Sequence, residues 1–237
     1  YMLSIIVPAL NEEKWLPRLL ESIKKQSLED YEVVVADAGS KDRTVEIAKD
    51  AGCRVIAGGL PAKGRNEGAR VAQGDLLLFL DTDNFLPEGS LKKLLEEFEK
   101  RKLDAAGCLV MPLGNEKIPK LIYDLTYNLA ARLLEKFIPI PIGFFLAKKK
   151  FHQKIGGYNE EIKLGEDLDY TKRVARISRF GILKSTKVFY SQRRFKKEGY
   201  LKVILKHFLS GLYTVFIGGI KSNIFKYKFG HYDKNNK

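Results

Sequence analysis

The chain has 237 residues, enough for one large α/β domain with or without an appendage, and its 45% hydrophobic and 30% charged residues are ordinary for a folded soluble protein. Its two cysteines, Cys53 and Cys108, stand alone and exclude a CxxC pair or a disulfide framework. Together with the absence of a charged leader before a first strand pattern at Leu3, they favour a cytoplasmic protein. Residues 184–237 hold 13 Lys+Arg and 2 Asp+Glu, or +11 of the net charge of +13, which predicts an anionic partner there.

The first part of the chain alternates short apolar runs with helical patterns. Strands are predicted at 3–8, 32–36, 54–57 and 76–80, of which the first and the last are expected to be buried. A first helix is expected after an Asn11 cap, with Glu12 and Glu13 in its first turn. A second is expected to begin at Ser40 or Asp42 and end at Gly52, and a third to open over residues 63–69 and reach about Gln73. This alternation predicts βαβ units and a parallel, twisted sheet.

The pattern changes after Asp83. The elements expected there, in chain order, are a helix capped by Ser90, a strand at 104–110, a long apolar helix at 121–137 broken over 138–142, an inner strand at 144–147, a turn at 156–159, a helix from Gly165 to about Ile177, and a last strand at 188–190. No repeat or low-complexity linker interrupts the chain. One domain over residues 1–199 with an extension over 200–237 is therefore expected.

The apolar strand at 76–80 runs directly into two carboxylates, Asp81 and Asp83. Ligands of open α/β sheets bind beyond the carboxyl ends of the strands, where these side chains would lie. Two acidic groups there are costly unless a cation or a donor compensates them, and a hard divalent cation that also binds phosphate oxygens suits the task. A strand that ends in a capped turn is the alternative, and this motif alone leaves both open.

Five short motifs occur in order along the chain: Val7-Pro-Ala-Leu-Asn-Glu12, Asp37-Ala-Gly-Ser-Lys-Asp-Arg-Thr44, Asp81-Thr-Asp83, Ile155-Gly-Gly-Tyr-Asn-Glu160 and Gly165-Glu-Asp167. Together they resemble the family 2 glycosyltransferases, which include dolichol-phosphate sugar synthases, over residues 4–194. The resemblance implies the GT-A fold, a Rossmann-like mixed and mainly parallel α/β sheet flanked by helices. It also implies a nucleoside-diphosphate sugar donor (UDP- or GDP-sugar) and Mg²⁺ or Mn²⁺.

With that resemblance, the residues expected to bind the nucleotide sugar are Pro8, Leu10, Glu12, Asp37, Lys63, Arg65, Asp81, Thr82, Asp83, Arg193 and Arg194. The family pattern implies that Asp37 holds the nucleotide, that Asp83 ligates the metal, and that Asp81 binds ribose or the metal through water. Lys63 and Arg65, expected just before a helix start, would meet phosphate. The alternatives to nucleotide binding are that Asp37 only shapes a turn, that Glu12 only favours a helix start, and that Lys63 and Arg65 are solvated surface cations.

The pair Glu166-Asp167 is the candidate catalytic element. An inverting transfer needs one base to take the proton of the acceptor hydroxyl. The resemblance assigns that role to Asp167, with Glu166 in support, although a lipid phosphate acceptor would hardly need a base. Helix capping by the two acids is the alternative. Arg193 and Arg194 follow the last strand, where guanidinium forks match phosphate oxygens of the donor or the acceptor.

The basic C-terminal segment mixes Lys202 and Lys206 with apolar residues, and its longest uncharged run, 207–220, is too short and glycine-rich to span a bilayer. It predicts either an amphipathic helix on the cytoplasmic face of an anionic membrane, which would suit a lipid-linked acceptor, or a helix that packs on the domain. Two other functions fit the motifs less well. A sugar nucleotidyltransferase would open with a glycine-rich loop, and a non-catalytic membrane- or nucleic-acid-binding module leaves the carboxylate motifs unexplained.

Overall fold

The computed structural model describes residues 2–135 and 143–199, with short stretches at 203, 205–206, 209–210, 213–214 and 218–221. Its strands are β1 (Leu3–Ala9), β2 (Tyr31–Asp37), β3 (Arg54–Ala57), β4 (Leu76–Leu80), β5 (Asn84–Phe85), β6 (Ala105–Pro112), β7 (Phe144–Lys148) and β8 (Phe180–Tyr190). Its helices are α1 (Leu16–Lys24), α2 (Thr44–Asp50), α3 (Pro61–Val71), α4 (Ser90–Lys100), α5 (Lys117–Tyr123), α6 (Leu129–Leu134), α7 (Lys149–Lys154), α8 (Glu166–Ala175) and α9 (Arg193–Glu198). A π-helical turn, Asp124–Asn128, joins α5 to α6.

The strands form one mixed sheet in the order β3-β2-β1-β4-β7-β6-β8-β5. β1 pairs in parallel with β2 and β4, and β2 with β3, while β7 is antiparallel to both β4 and β6. All five residues of β4 are buried, because both faces of the sheet are covered, and a continuous apolar run is what such a strand requires. The carboxyl ends of β1, β2 and β4 therefore share one edge, as predicted.

The prediction that Asn11 caps the first helix is wrong. α1 begins at Leu16, so Glu12 and Glu13 lie before its first turn. Asn11 has φ 55°, its backbone N–H donates to Ser40 Oγ at 2.8 Å, and its Oδ1 accepts from the N–H of Lys41 at 2.9 Å. The polar groups of the loop after β1 are thus satisfied by the loop after β2, and this pairing outweighs the local helix-start preference.

The other helix and strand boundaries agree with the predictions only in part. Gly52 ends α2 as predicted, with φ 77° and the Cys53 N–H bonded to the Ala48 carbonyl. Ser90 is the first residue of α4 and not its cap, because Gly89 precedes it with φ 65°. β8 begins at Phe180, well before the predicted start, and β5, α7 and α9 were not predicted. The predicted helix break at 138–142 lies outside the described residues.

The described residues of the C-terminal segment contact the rest of the chain. Val203 is buried in the main hydrophobic core, and Ile220 forms a β-bridge with Leu164. Lys221 pairs with Glu161 at 2.5 Å. Most of the predicted amphipathic helix lies outside the described residues. Among those that are described, none belongs to a helix with the length and apolar content needed to cross a bilayer.

Candidate active site

Helix α3 lies close to the sheet because two of its residues are glycines. A Cβ at Gly64 would stand 3.1 Å from Pro8 Cβ, and one at Gly68 would overlap the side chain of Ile6. Because α3 begins at Pro61, Lys63 and Arg65 lie inside it, and the prediction that they precede a helix is wrong. Close packing carries Arg65 to the sheet edge, where it is buried, and leaves Lys63 exposed.

Arg65 binds three carboxylates from two elements. One guanidinium nitrogen lies 2.8 Å from Asp81 Oδ1, and the other lies 3.0 Å from both Glu166 Oε1 and Asp167 Oδ1. The guanidinium also stands over the ring of Tyr158, 5.2 Å from its centroid. Burial acts to lower the pKa of Arg65, but the carboxylates outweigh it and the pKa is raised. We call these residues the Arg65 cluster.

Asp167 lies in the first turn of α8, which begins after Gly165 at φ 84°. The alternative that Glu166 and Asp167 cap this helix is wrong, because Gly165 occupies the cap position and no side-chain cap hydrogen bond forms. The two acids lie in the first turn, where negative charge is favoured, and this placement leaves them open to a chemical role. The Asp167 side chain keeps 31% of its surface exposed. Burial raises the pKa of Asp167 to about 7, since the charges of Glu166 and Asp81 add to it and the attraction of Arg65 only partly offsets it.

Arg193 organises a second group of acids. Its two terminal nitrogens bind Glu12 in a fork at 2.7 Å each, and its Nε lies 3.4 Å from Asp83 Oδ2. Its guanidinium stands 5.5 Å from the centre of the Trp15 ring. The short strand β5 pairs Asn84 with Tyr190, the last residue of β8, which brings Arg193 beside Asp83. We call Glu12, Asp83, Arg193 and Trp15 the Arg193 cluster.

Both acids of the Arg193 cluster have raised pKa values. Burial is the largest cause for each, and the attraction of Arg193 only partly offsets it. The charge of Asp81 raises the pKa of Asp83 further, while Arg194, which is half-buried, lowers it. The hydroxyl of buried Thr82 contributes a hydrogen bond to Glu12. The two clusters are therefore electrostatically linked through Asp81 and Asp83.

Asp37 lies at the end of β2, opposite Ala9 of β1. Its Oδ2 accepts the backbone N–H groups of Gly39 and Ser40 at 2.9 and 3.0 Å, so it does shape the turn. Its Oδ1 is buried and has no hydrogen-bond partner among the described residues. A buried carboxylate oxygen without a donor is costly, which makes this position ready for a donor from a ligand. Pro8 and Leu10 are half-buried at the same edge.

Two carboxylates are available to a cation. The side chains of Asp81 and Asp83 are 38% and 28% exposed, and oxygen ligands of this kind suit Mg²⁺ or Mn²⁺. Within residues 2–135 and 143–199 and the short stretches beyond them, no group of three or more His, Cys, Asp or Glu side chains is placed to hold a metal. Protein ligands to a cation at this edge would thus be few. Mg²⁺ sites that share phosphate oxygens and water have this character.

Comparison with known proteins places the chain in a family. The model of Glycosyl transferase family 2 matches residues 4–156. An uncharacterized glycosyltransferase of Haemophilus influenzae is 34% identical over 180 residues, 71% of this chain and 60% of the relative. The uncharacterized glycosyltransferase EpsJ of Bacillus subtilis is 36% identical over 114 residues, 45% of this chain and 33% of the relative. The chain thus spans from about a third to three fifths of the length of these two relatives.

Solved structures show the same fold. Residues 1–349 of S. aureus TarS, crystallised with UDP, align at a TM-score of 0.68 and 20% identity, covering 97% of this chain and 76% of that one. The mannosyltransferase PcManGT of Pyrobaculum calidifontis, in complex with GDP-Man and Mn²⁺, aligns at 0.69 and 17%, covering 95% and 68%. The mixed sheet and flanking helices described above are those of these enzymes. The chain belongs to glycosyl transferase family 2 and has the GT-A fold.

Proposed function

We propose that this protein is a metal-dependent, inverting glycosyltransferase that moves a sugar from a nucleoside-diphosphate donor to a lipid-linked or phosphorylated acceptor. The observation that carries the proposal is the Arg65 cluster. Asp81 at the end of β4 and Asp167 on α8 belong to motifs far apart in the chain, yet one buried guanidinium binds both. A residue expected to bind the donor and the residue expected to activate the acceptor thus contact the same guanidinium.

The nucleotide is expected to bind at the ends of β1 and β2. Asp37 Oδ1, which has no partner in the part of the chain that the structure describes, would accept a hydrogen bond from a base N–H or a ribose hydroxyl. Pro8, Leu10 and Glu12 border this position, and Lys63 and Arg194 are the cations expected to contact phosphate. A UDP- or GDP-sugar is the expected donor class, which is supported by the UDP and GDP-Man bound in the two structural neighbours.

A divalent cation fits the pair Asp81 and Asp83, with Asp83 as the direct ligand. Bound Mg²⁺ or Mn²⁺ would supply positive charge that neutralises the leaving diphosphate. Arg65 and Arg193 already compensate part of the charge of the two aspartates. Arg193 would then turn from Asp83 toward the donor diphosphate, where its fork suits phosphate oxygens.

Asp167 is the proposed general base. A pKa of about 7 is close to the value that makes a carboxylate an effective base near neutral pH. Arg65 holds the carboxylate oriented, and Glu166, only 13% exposed, shares the same guanidinium nitrogen as a supporting residue. The base would take the proton of an acceptor hydroxyl as that oxygen attacks the anomeric carbon from the face opposite the nucleotide.

A lipid-linked acceptor would place the enzyme at the cytoplasmic face of a membrane. The +11 charge of residues 184–237 supports peripheral attraction of that segment to anionic lipid. The ion pairs and β-bridge of its described residues favour packing on the domain as well. Attraction to lipid and packing on the domain do not exclude each other.

A thermal-shift panel of UDP, GDP, CDP, TDP and their sugars, with and without Mn²⁺, tests the donor site. A ligand that binds the native state raises stability by RT ln(1 + [L]/Kd), and one nucleotide series is expected to do so only with metal. Asp83→Ala should abolish the metal-dependent part. Asp75→Ala, an exposed aspartate at the other end of β4, is the matched control and should retain it. Equal shifts for all three proteins would overturn the proposal.

A further inference from the structure

Helices α5 and α6 turn large apolar side chains away from the sheet. Leu121, Leu125, Leu129 and Leu133 keep 59%, 61%, 42% and 68% of their surface exposed, and we call these four residues the leucine face. Ile122 beside them is 45% exposed. Single exposed leucines are ordinary on folded proteins, but a contiguous row marks a surface that meets something apolar.

The orientation of α5, the π-helical turn and α6 is set by polar and small residues on the side that faces the sheet. Asn128 is fully buried, and its side chain accepts the Val110 N–H at 3.0 Å and donates to the Val110 carbonyl at 2.8 Å. Ala131 is also fully buried, and Asp124 pairs with Lys187 at 2.7 Å. The helix cannot rotate its leucines inward without breaking these contacts.

The leucine face is kept in line by the π-helical turn. Residues spaced by four drift about 40° around a regular α-helix at each step. The turn Asp124–Asn128 is wound more widely than an α-helix, so it offsets this drift between Leu121 and Leu129. The four leucines are therefore expected to lie along one side of α5 and α6.

The charges around the leucine face indicate what kind of partner would cover it. Asp124 is already paired with Lys187, and Glu135 with both Arg101 and Lys184. Three cations of the same helix, Lys117, Lys120 and Arg132, make no ion pair with any residue that the structure describes. An apolar strip rimmed by cations suits an anionic bilayer. A second copy of a chain with net charge +13 would instead be repelled.

We propose that the leucine face rests on the surface of an anionic membrane, with its leucines among the acyl chains and Lys117, Lys120 and Arg132 among the lipid phosphates. This contact is separate from the one proposed for the C-terminal segment and does not rest on the transferase function. The opposite side of the same helix faces the sheet, where Tyr123 contacts Tyr190 at a ring distance of 5.2 Å. One helix would thus separate the site from the lipid.

Co-sedimentation of the full chain with sucrose-loaded vesicles tests the proposal, using phosphatidylcholine alone and an equal mixture with phosphatidylglycerol. Binding to the mixed vesicles is expected, and Leu125→Gln should weaken it about tenfold, with the double variant Leu121→Gln/Leu125→Gln weaker by about a hundredfold. Ile177→Gln, at an exposed position beyond the end of α8, is the matched control and should bind like the unmodified chain.

Three outcomes would overturn the proposal. Unchanged vesicle binding by the double variant would leave the C-terminal segment as the only lipid contact. A fall in unfolding temperature with unchanged vesicle binding would indicate that another part of this chain covers the strip. A concentration-dependent dimer that the leucine variants dissolve would identify a second copy as the occupant. The nucleotide-induced thermal shift should persist in every variant, so that failure here is distinct from failure of the transferase proposal.

Discussion

In both clusters at the sheet edge an arginine binds carboxylates, but the two guanidinium groups are held in different ways. Arg65 lies within α3, its side chain is 4% exposed, and it binds three carboxylates. Arg193 opens the six-residue helix α9, is 12% exposed, and binds Glu12 closely and Asp83 at 3.4 Å. The first guanidinium is fixed by packing against the sheet. The second is held by ion pairs on a short helix, and we infer that a ligand would displace it more easily than Arg65.

Charge balance sharpens the contrast. Burial is the main cause of the raised pKa of Asp167, and the excess negative charge of Glu166 and Asp81 raises that pKa further. Burial is also the main cause of the raised pKa values of Glu12 and Asp83, but the excess negative charge around Arg193 is smaller. We infer that the Arg65 cluster is suited to holding a base in place, and that the Arg193 cluster is suited to exchanging one cation for another.

The largest expected effect is on turnover. Asp167→Asn keeps the size of the side chain but removes the proposed base, and kcat should fall by about 10²- to 10⁴-fold. Asp169→Asn, in the same turn of α8 and paired with Arg173, is the control and should keep most of the activity. A loss below tenfold would contradict a role as base and would indicate an acceptor that is already ionised, such as a phosphate. Steady-state transfer assays separate these outcomes.

Removal of the buried cation should be the next largest effect. Arg65→Met leaves Asp81, Glu166 and Asp167 without a counter-charge, and should lower the free energy of unfolding by about 3–5 kcal/mol. Arg65→Lys keeps the charge, so it should retain more stability while losing activity, because an ammonium cannot bind three carboxylates as a fork does. Urea unfolding measures both.

The surface variant Arg70→Met is the control for Arg65. Arg70 lies on the same helix and pairs with Glu67, but its side chain is 71% exposed, so a change below about 0.5 kcal/mol is expected. Equal losses for Arg65→Met and Arg70→Met would contradict the view that the Arg65 cluster is fixed by its burial.

Much of the fold follows from local patterns, whereas the clusters do not. The apolar run Leu76–Leu80 predicts β4 to the residue, because a strand buried on both faces has no polar positions. Arg65 could be a phosphate-binding or a solvated residue on local grounds, and its burial depends on how closely Gly64 and Gly68 let α3 approach the sheet. No local pattern contains that distance.

The Arg193 cluster could not be predicted from local sequence patterns either. Glu12 and Arg193 are 181 positions apart, and they meet because the unpredicted strand β5 carries the end of β8 to Asp83. Trp15 and Tyr158 were not assigned to the site, although both rings lie beneath its arginines. Asn11 failed as a cap for the same reason, since its partners come from a loop that follows a different strand.

Acid should inactivate the enzyme through the Arg65 cluster. The proposed mechanism requires the deprotonated form of Asp167, whose pKa of about 7 lies above the ordinary aspartate value. Because kcat/KM reports the free enzyme, it should be constant at high pH and fall about tenfold per pH unit below 7. In Asp167→Asn the residual activity should lose this dependence. A profile that stays flat down to pH 5 would contradict the raised pKa.

The smallest expected effect separates the two arginines by their response to ligands. Arg193→Met removes a cation from Asp83, so Mn²⁺ alone should bind about fivefold more tightly, a change of about 1 kcal/mol for a partly exposed pair. The nucleoside diphosphate should bind more weakly in the same variant, because the fork that would hold its phosphates is lost. Titration calorimetry measures both affinities. Lys196→Met, an exposed control on α9, should change neither. If Arg193→Met weakened Mn²⁺ binding as well, the guanidinium would be a structural support for Asp83 and not a cation that the metal replaces.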